Sequence, residues 1–358
     1  MRIFLFGTGK VAESTMKQIV KIPDSIKLLG FIDNDSAKWG NFMGYPVYSP
    51  NQLCDFEFDK LIILSDTYYK GIRENLEYWY HIDTKKIESR KYLLKILLME
   101  RYKNTEDVEV KEILHYLENN ELSVYNQYVT RREERQYVVE WDCFENMPYI
   151  ILEDKRMYYP YDYVFPNVNG KKVVIDILSE QQPSSPHLYI KDDINIKRGD
   201  VIVDAGVREG NFALRYIEEV SKAYLFESDA RWIKPLEKTF EKFKDKVKIL
   251  NKFLGQTEKE NDINLDAVIS GRLDFLKMDI EGMETEALLG GKRVLLDNDV
   301  KCAVCSYHRS GDEARIRNIF QSLGYKTDTS QGYMIFYYDE SIYSTLDFRR
   351  GVVYAKKR

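Results

Sequence analysis

The chain of 358 residues lacks several features that would place it in a specialised class of protein. No apolar run approaches the ~18 residues of a membrane-spanning helix. Only four apolar residues separate Arg2 from Gly7, too few for the apolar part of a secretory signal. The net charge of −5 is not the basic excess that indicates nucleic acid as the main partner. We therefore expect a cytoplasmic protein without a membrane span, whose oligomeric state the sequence leaves open.

Cysteine is also scarce, with four residues in all. Cys54 and Cys143 stand alone, whereas Cys302 and Cys305 form a CxxC pair within the run KCAVCSYH. That run is typical of a strand, in which side chains three positions apart point to opposite faces. A zinc site would also need a second ligand pair at suitable spacing, so we expect no metal on these cysteines.

The most informative stretch is VIVDAGVREGNFALRY, residues 201–216. Its β-branched start predicts a buried parallel strand, and Asp204 lies where that strand ends. Gly206 and Gly210 allow a tight turn with accessible backbone, and a helix is predicted from Asn211 onward. The carboxyl end of such a strand is where α/β sheets bind ligands, so Asp204, the two glycines and Asn211 are candidate cofactor-binding residues.

A second apolar strand, AYLFES, ends in Glu227, about twenty residues beyond the turn. An acid at that distance is the usual partner of ribose hydroxyls. The glycine spacing is not G-x-G-x-x-G, and Asp204 and Glu209 would repel a pyrophosphate. S-adenosylmethionine has an adenosine, no phosphate, and positive sulfonium and ammonium groups. The charges therefore favour this cofactor over a dinucleotide.

Further motifs extend the pattern: Phe226-Glu227, the segment LKMDIEGMETEALLGG that begins at Leu276, and Tyr307-His308. Together with the glycine turn, they resemble the FkbM family of methyltransferases over residues 196–338. The resemblance implies a class I methyltransferase fold with S-adenosylmethionine as cofactor. Together with the Rossmann-like domain that precedes it in the chain, the resemblance also implies O-methylation of a sugar hydroxyl, or of a polysaccharide or natural-product hydroxyl.

Methyl transfer to a hydroxyl needs alignment of the acceptor and a group that takes its proton. Asp279, Glu281 and His308 fall at the ends of the predicted fourth and fifth strands, where such groups should lie. We prefer His308 as the base, because a histidine there can be neutral near pH 7. Asp279 or Glu281 would orient it or bind sugar hydroxyls.

One alternative gives these carboxylates and His308 a different role. The carboxylates and His308 could hold a Mg²⁺ ion that acidifies the acceptor hydroxyl, although this is not favoured. Lys277 and Glu284 are expected to form a salt bridge that brackets the turn.

Upstream, the Pro/Ser turn around residues 180–189 carries Glu180 and His187. These two residues could contact substrate, or His187 could simply cap the turn.

The N-terminal segment RIFLFGTGKVAESTMKQIV predicts another strand, turn and helix, with Gly7 and Gly9 in dinucleotide-type spacing. Asp33 ends the next predicted strand, and LIILSD supplies a further one. These residues could form a nucleotide site, as in Rossmann-like domains attached to enzymes of surface polysaccharide pathways. Alternatively, the glycines only permit close helix–strand packing in a scaffold.

We therefore expect an α/β protein in which a class I methyltransferase fold follows a smaller, doubly wound Rossmann-like domain. The predicted division is residues 1–98 for the N-terminal domain, 99–195 for a connector and substrate-side segment, and 196–358 for the methyltransferase. YKTD and YMIFYY are predicted to close its sheet as an antiparallel pair.

Two other functions stay open. One is an NAD(P)-dependent oxidoreductase or epimerase acting on a sugar nucleotide, although no Tyr-x-x-x-Lys pair supports it. The other is a nucleotide-binding scaffold with an inactive methyltransferase domain.

Overall fold

The computed structural model describes residues 1–129, 138–163 and 179–357. The chain forms two compact units. The first contains Met1–Asn126 and Ile335–Phe348, and the second contains Gln127–Met334 and Arg349–Arg358. The predicted division at residues 98 and 195 stays a prediction about independent folding.

The first unit is built on a six-stranded sheet of order β3-β4-β2-β1-β5-β6, in which only β3 runs antiparallel to its neighbour. Phe4, Leu61, Ile63 and Leu76 form part of its buried core. The elements are β1 Arg2–Phe6, α1 Lys10–Gln18, β2 Lys27–Ile32, β3 Gly40–Phe42, β4 Tyr45–Tyr48, β5 Lys60–Ile63, α2 Tyr69–Tyr80, β6 Ile87–Ser89, α3 Arg90–Tyr102 and α4 Val108–Asn119.

The second unit carries a small antiparallel sheet ahead of its main sheet, formed by β7 Glu140–Asp142, β8 Met147–Leu152 and β9 Lys155–Tyr158. The elements that follow are β10 Val201–Ala205, α5 Asn211–Tyr216, β11 Lys222–Phe226, α6 Ile233–Thr239, β12 Val247–Leu250, β13 Phe253–Leu254, β14 Asp262–Ile263, α7 Leu265–Val268, β15 Phe275–Met278, α8 Glu284–Leu289, α9 Lys292–Asp297, β16 Lys301–Cys305, α10 Asp312–Ser322, β17 Tyr325–Thr329, α11 Ile342–Thr345 and β18 Val352–Lys357. Of these, α11 lies in the segment that belongs to the first unit.

The main sheet of the second unit has the order β12-β11-β10-β15-β16-β18-β17. Neighbouring strands from β12 to β16 are parallel, and β18 runs antiparallel between β16 and β17. This order, with a reversed final strand, is the class I methyltransferase arrangement. The predicted fold class is therefore confirmed.

One predicted pairing is wrong. YKTD does form β17, but its partner is β18 and not YMIFYY. Ile335 lies within YMIFYY, is fully buried, and donates its backbone N–H to Val124 O within the first unit (3.0 Å). The apolar run YMIFYY therefore contains buried residues, but its composition could not indicate which unit would bury them.

No helix in the described parts of the chain is both long and apolar enough to cross a membrane.

Candidate active site

Four acidic or basic side chains lie at or just after the carboxyl ends of neighbouring strands in the main sheet of the second unit. Asp204 is the penultimate residue of β10, Glu227 directly follows β11, Asp279 directly follows β15, and His308 comes shortly after β16. Because these strands are parallel, their carboxyl ends share one edge of the sheet, as the sequence predicted.

The turn after β10 requires glycine at two positions. Gly206 has a φ of +75°, and a Cβ added there would lie 1.7 Å from the carbonyl oxygen of Asp279. Gly210 has a φ of +85°, and its Cβ would come within 2.9 Å of the Phe240 ring. The turn is thus pressed against the exit of β15 on one side and an apolar wall on the other. Asn211 begins α5 and lines a cavity of about 30 Å³, too small for a nucleoside.

Glu227 joins this turn to the end of β11. One carboxylate oxygen accepts the backbone N–H of Arg208 and the other accepts that of Asp229, both at 2.8 Å. Each carboxylate oxygen can accept more than one hydrogen bond. Glu227 is therefore held in place while keeping capacity to accept bonds from a ligand.

Asp204 is fully buried, and its Oδ1 lies 2.9 Å from Lys277 Nζ. The same ammonium donates to the carbonyl oxygens of Ala205 (3.2 Å) and Gly206 (2.7 Å). Burial raises the pKa of Asp204, and Lys277 counteracts part of that rise. The predicted salt bridge between Lys277 and Glu284 is wrong, because Lys277 is turned to the end of β10.

Asp279 is the centre of a buried polar cluster, which we call the Asp279 cluster. Its Oδ2 accepts the hydroxyl of Tyr189 (2.8 Å) and lies 3.3 Å from His187 Nε2. Its Oδ1 accepts the hydroxyl of Tyr307 (3.2 Å) and lies 3.3 Å from His308 Nε2. One carboxylate thus receives two phenols and two imidazoles.

Each histidine of the cluster has a second carboxylate on its other nitrogen. Glu180 Oε2 lies 3.4 Å from His187 Nδ1, and Glu284 Oε1 lies 3.0 Å from His308 Nδ1. The structure therefore brings the upstream candidate His187 to the same carboxylate as His308, with Glu180 on the other nitrogen of His187. Glu284, in contrast to the prediction, pairs with this histidine.

These pairings change the protonation of the site. Burial opposes charge on His187, but the Asp279 and Glu180 carboxylates outweigh it and raise its pKa to about 9. Burial likewise opposes charge on His308, whose pKa is nevertheless raised by Glu284 and Asp279. Burial would raise the pKa of Asp279, yet the histidines hold it well below its usual range. The cluster therefore favours protonated histidines around an ionised carboxylate.

Glu281 occupies a different position from its neighbours. It has a φ of +55° in the turn after β15, and its side chain is 89% exposed. Its Oε2 is 3.6 Å from His308 Nε2. Glu281 is thus a solvent-exposed carboxylate beside the buried His308.

Two sets of residues within the described parts of the chain have metal-binding groups within 4.8 Å of one another. One is Asp279, Glu284 and His308, and the other is His187, Asp279 and Cys305. In the first set, Glu284 Oε1 already accepts the backbone N–H of Ile280 at 2.9 Å. Mg²⁺ prefers an all-oxygen octahedral shell, so a set that includes imidazole fits it only in part.

Glu209 is a further buried acid beside the glycine turn. Burial raises its pKa to about 7, with Arg208 opposing the rise. Its Oε2 accepts no hydrogen bond from the described residues, and Arg208 Nε lies 3.9 Å away. A buried carboxylate oxygen in this state is suited to a donor or cation brought by a ligand.

In the first unit, Asp33 closes the turn after β1. Its Oδ2 accepts the Thr8 backbone N–H (2.9 Å) and the Thr8 hydroxyl (2.6 Å). Gly7 has a φ of +104°, but a Cβ added at Gly7 or Gly9 would meet nothing within 4 Å. The interpretation that these two glycines permit close helix–strand packing is therefore wrong.

Sequence reasoning assigned no role to several members of the cluster. Tyr307 stood inside a quoted motif, and Tyr189 lies two positions after His187, at the end of the predicted Pro/Ser turn. Cys305 was placed on a strand and was expected to hold no metal, and its Sγ lies 3.3 Å from His187 Nε2. The available signal for Tyr189 was its position two residues from His187, and the ring centres of the two residues lie 4.9 Å apart.

Two family models match the chain. One, described as C2185-like, N-terminal, covers residues 1–88, and the other, described as Methyltransferase FkbM domain, covers residues 155–327. No curated protein matches the sequence.

Solved structures with similarity to the chain include other methyltransferases. The methyltransferase FkbM from Methylobacillus flagellatus is 16% identical with a TM-score of 0.42, over 99% of this chain and 89% of that one. Magnesium protoporphyrin IX methyltransferase from Synechocystis, solved with bound S-adenosylmethionine, is 15% identical with a TM-score of 0.31, over 45% and 71%. Trm5b from Pyrococcus abyssi is 13% identical with a TM-score of 0.33, over 59% and 56%.

Proposed function

Because the C-terminal part of this chain belongs to the FkbM methyltransferase family, we propose that it transfers the methyl group of S-adenosylmethionine to a hydroxyl group of a sugar or related acceptor. The observation that carries the proposal is the Asp279 cluster, which gathers two histidines around one carboxylate at the carboxyl edge of the sheet. A transferase acting on a hydroxyl needs proton-accepting groups at that edge.

The residues of the glycine turn fit S-adenosylmethionine. Glu227 keeps hydrogen-bonding capacity for a ribose diol, and its backbone partners at Arg208 and Asp229 hold it at the end of β11. Glu209 offers a buried carboxylate to a cationic group. The cofactor would supply the methyl on a sulfonium, a leaving group that needs no protonation. Asp204 would act indirectly, through the Lys277 bonds that hold the turn.

The chain's own residues would align the acceptor and remove its proton. His308 is the proposed base, with Asp279 and Glu281 orienting it or binding neighbouring hydroxyls. Since its pKa is raised in the free protein, His308 must lose a proton before it can accept one. A cationic ligand beside Asp279 would compete for the same carboxylate and lower the pKa of the histidine.

The acceptor class rests on the family and on the openness of the site at Glu281. Its exposed carboxylate can accept hydrogen bonds from vicinal hydroxyls, as a sugar presents them. Incubation with radiolabelled S-adenosylmethionine and a panel of nucleotide sugars and oligosaccharides tests the class directly. Label that enters amines or thiols of a control panel, but no sugar, would contradict O-methylation of sugars.

The proposal predicts a large loss of turnover in His308→Gln. Removing a general base lowers the rate by about 10²–10⁴-fold, whereas cofactor affinity should stay nearly unchanged because Glu227 and the turn hold the cofactor. Single-turnover kinetics and calorimetry measure the two quantities separately. His115→Gln is the matched control, because His115 is exposed on α4.

Full activity in His308→Gln would move the proton acceptor to His187, Asp279 or Glu281. Activity that disappears with a chelator and returns with Mg²⁺ would instead make Asp279, Glu284 and His308 metal ligands. In that case, the divalent ion would acidify the acceptor hydroxyl.

A further inference from the structure

The first unit contains a cavity of about 800 Å³, within the range of small-molecule sites. It is lined by residues of α1, of the loop after β5, of the start of α3, and of the segment 335–348. We call it the switch-point cavity, for its place in the sheet. Representative lining residues are Lys10, Ser14, Asp66, Arg90, Tyr338 and Glu340.

Its position in the sheet is that of a ligand site. The chain leaves β1 towards β2 on one side and leaves β5 towards β6 on the other, so the connections of these two neighbouring strands diverge. In open α/β sheets, ligands bind outside the carboxyl ends of strands at such a point. Lys10 follows β1 and Asp66 follows β5, which places the cavity at the divergence.

The wall contributed by the segment 335–348 is fixed in place. Tyr343 is buried, and its hydroxyl donates to the Arg90 carbonyl oxygen (2.9 Å). Lys91 Nζ donates to the Tyr337 hydroxyl (2.9 Å) and lies 4.1 Å from the centre of that ring. These contacts fix the side chains of Tyr337 and Tyr343, so this wall of the cavity is formed before a ligand binds.

A third tyrosine presents a free face beside this wall. Tyr338 is 68% exposed, and its ring centre lies 4.5 Å from that of Tyr337. Exposed aromatic rings beside carboxylates and hydroxyls suit a pyranose. The rings cover its C–H face, and the polar groups bond its hydroxyls.

The charges of the lining disfavour an anionic ligand. Three cations and four carboxylates line the cavity, and one pair of them, Arg90 and Asp66, is joined at 2.6 Å. A phosphate would meet a lining whose formal charge is negative. Among the described residues, moreover, neither the glycines of the β1–α1 turn nor Asp33 belongs to the lining.

We propose that the switch-point cavity is a binding site for a neutral oligosaccharide, separate from the Asp279 cluster. It selects polyhydroxylated ligands through the Tyr337–Tyr338 face and the carboxylates Glu121, Asp339 and Glu340. The assignment does not depend on methyl transfer. All of its residues belong to the first unit, whereas the cluster belongs to the second.

The full chain, fluorescently labelled, is first applied to an array of neutral di- to pentasaccharides. The strongest array ligand is then titrated by calorimetry. Tyr338→Ala should weaken binding by about tenfold or more, because truncation of an aromatic anchor removes stacking area. Glu340→Gln should weaken it by a smaller factor. Both residues are exposed, so the fold should tolerate the changes.

Tyr78→Ala is the matched control, since Tyr78 is 70% exposed on α2 and lies outside the lining. It should bind as the unchanged chain does. Asp279→Asn distinguishes the two sites. Binding that is lost in Asp279→Asn but kept in Tyr338→Ala would belong to the acceptor site and would overturn the cavity assignment, while leaving the proposed methyl transfer intact.

Two other results would also overturn the proposal. The first is no binding to any neutral glycan on the array. The second is saturable binding of uridine diphosphate that Tyr338→Ala abolishes, because the cavity would then take an anionic nucleotide. Loss of oligosaccharide binding in Tyr338→Ala alone, with Asp279→Asn and Tyr78→Ala unaffected, is the expected outcome.

Discussion

The chain builds a strand, a glycine turn and a helix twice, and in both units an acid after the next strand closes the turn. In the first unit, Asp33 Oδ2 accepts the Thr8 N–H, and in the second, Glu227 Oε2 accepts the Arg208 N–H. The acid at this spacing therefore has a structural role whether or not a ligand binds. Its presence in a sequence is weak evidence for ribose binding by itself.

The two turns differ in what the acid has left to offer. Asp33 also accepts the Thr8 hydroxyl and lies 3.5 Å from Lys38 Nζ, and its other oxygen accepts the Asp35 N–H. Glu227 is bonded through its carboxylate to two backbone N–H groups. The ligand-binding capacity of the second turn is therefore greater, in line with its proposed role.

The glycines of the two turns also differ in how closely the protein packs against them. Substituting them by alanine is expected to give the largest effect on stability. Gly206→Ala should destabilise the protein by about 3 kcal/mol or more, because the new Cβ would clash with the Asp279 carbonyl oxygen and the positive φ is strained for alanine. Gly9→Ala should change stability by no more than about 1 kcal/mol. There, a poorer N-cap is offset by the lower entropy of the unfolded chain.

Chemical unfolding monitored by circular dichroism measures both variants. If the second unit unfolds separately, its transition alone should move in Gly206→Ala. Equal stability losses in the two variants would remove the contrast between an enclosed and an open glycine turn.

The acids provide the next contrast. Glu227→Ala should weaken S-adenosylmethionine binding by about tenfold or more, since a hydrogen bond to a charged group contributes about 1.5–3 kcal/mol. Asp33→Ala should leave that affinity unchanged, because Asp33 closes a turn in the first unit. Calorimetric titration with S-adenosylhomocysteine compares the two. Wild-type affinity in Glu227→Ala would contradict the placement of the ribose.

Much of the second unit could be predicted because its strands are short apolar runs followed by polar residues. This is how the sequence located Asp204, Glu227, Asp279 and His308. Each lies at or near the end of a strand that can be recognised from the apolar residues next to it in the sequence. The position of Gly206 against Asp279 O could not be predicted. It depends on how two strands distant in sequence come together.

The residues of the Asp279 cluster that the sequence did not reveal also depend on contacts between distant parts of the chain. Tyr189 and Asp279 lie 90 positions apart, and their hydrogen bond forms only when the segment before β10 folds over the sheet edge. The strand β18 was missed because residues 335–348 leave the second unit between β17 and β18. Composition cannot reveal such a departure, since Tyr337 and Tyr338 resemble strand residues.

Two carboxylates beside His308 provide the finest comparison. Burial opposes its charge, but Glu284 raises the pKa of His308, with Asp279 and then Glu281 adding to the rise. If neutral His308 is the base, kcat/KM should increase with pH through the raised pKa of this histidine in the free enzyme. Glu284→Gln removes the charge while keeping an acceptor for the Ile280 N–H. The pKa of His308 should then fall, and the acidic limb of the profile should move to lower pH.

Glu281→Gln should move the same limb in the same direction but less, because the Glu281 side chain is 89% exposed and its charge is screened by water. The pH dependence of kcat/KM for S-adenosylmethionine-dependent methylation measures both shifts. An acidic limb that moves upward in Glu284→Gln, or that does not respond to either variant, would assign it to a group other than His308. The candidates would then be His187, whose pKa is raised to about 9 by Asp279 and Glu180 against the effect of burial, and the acceptor itself.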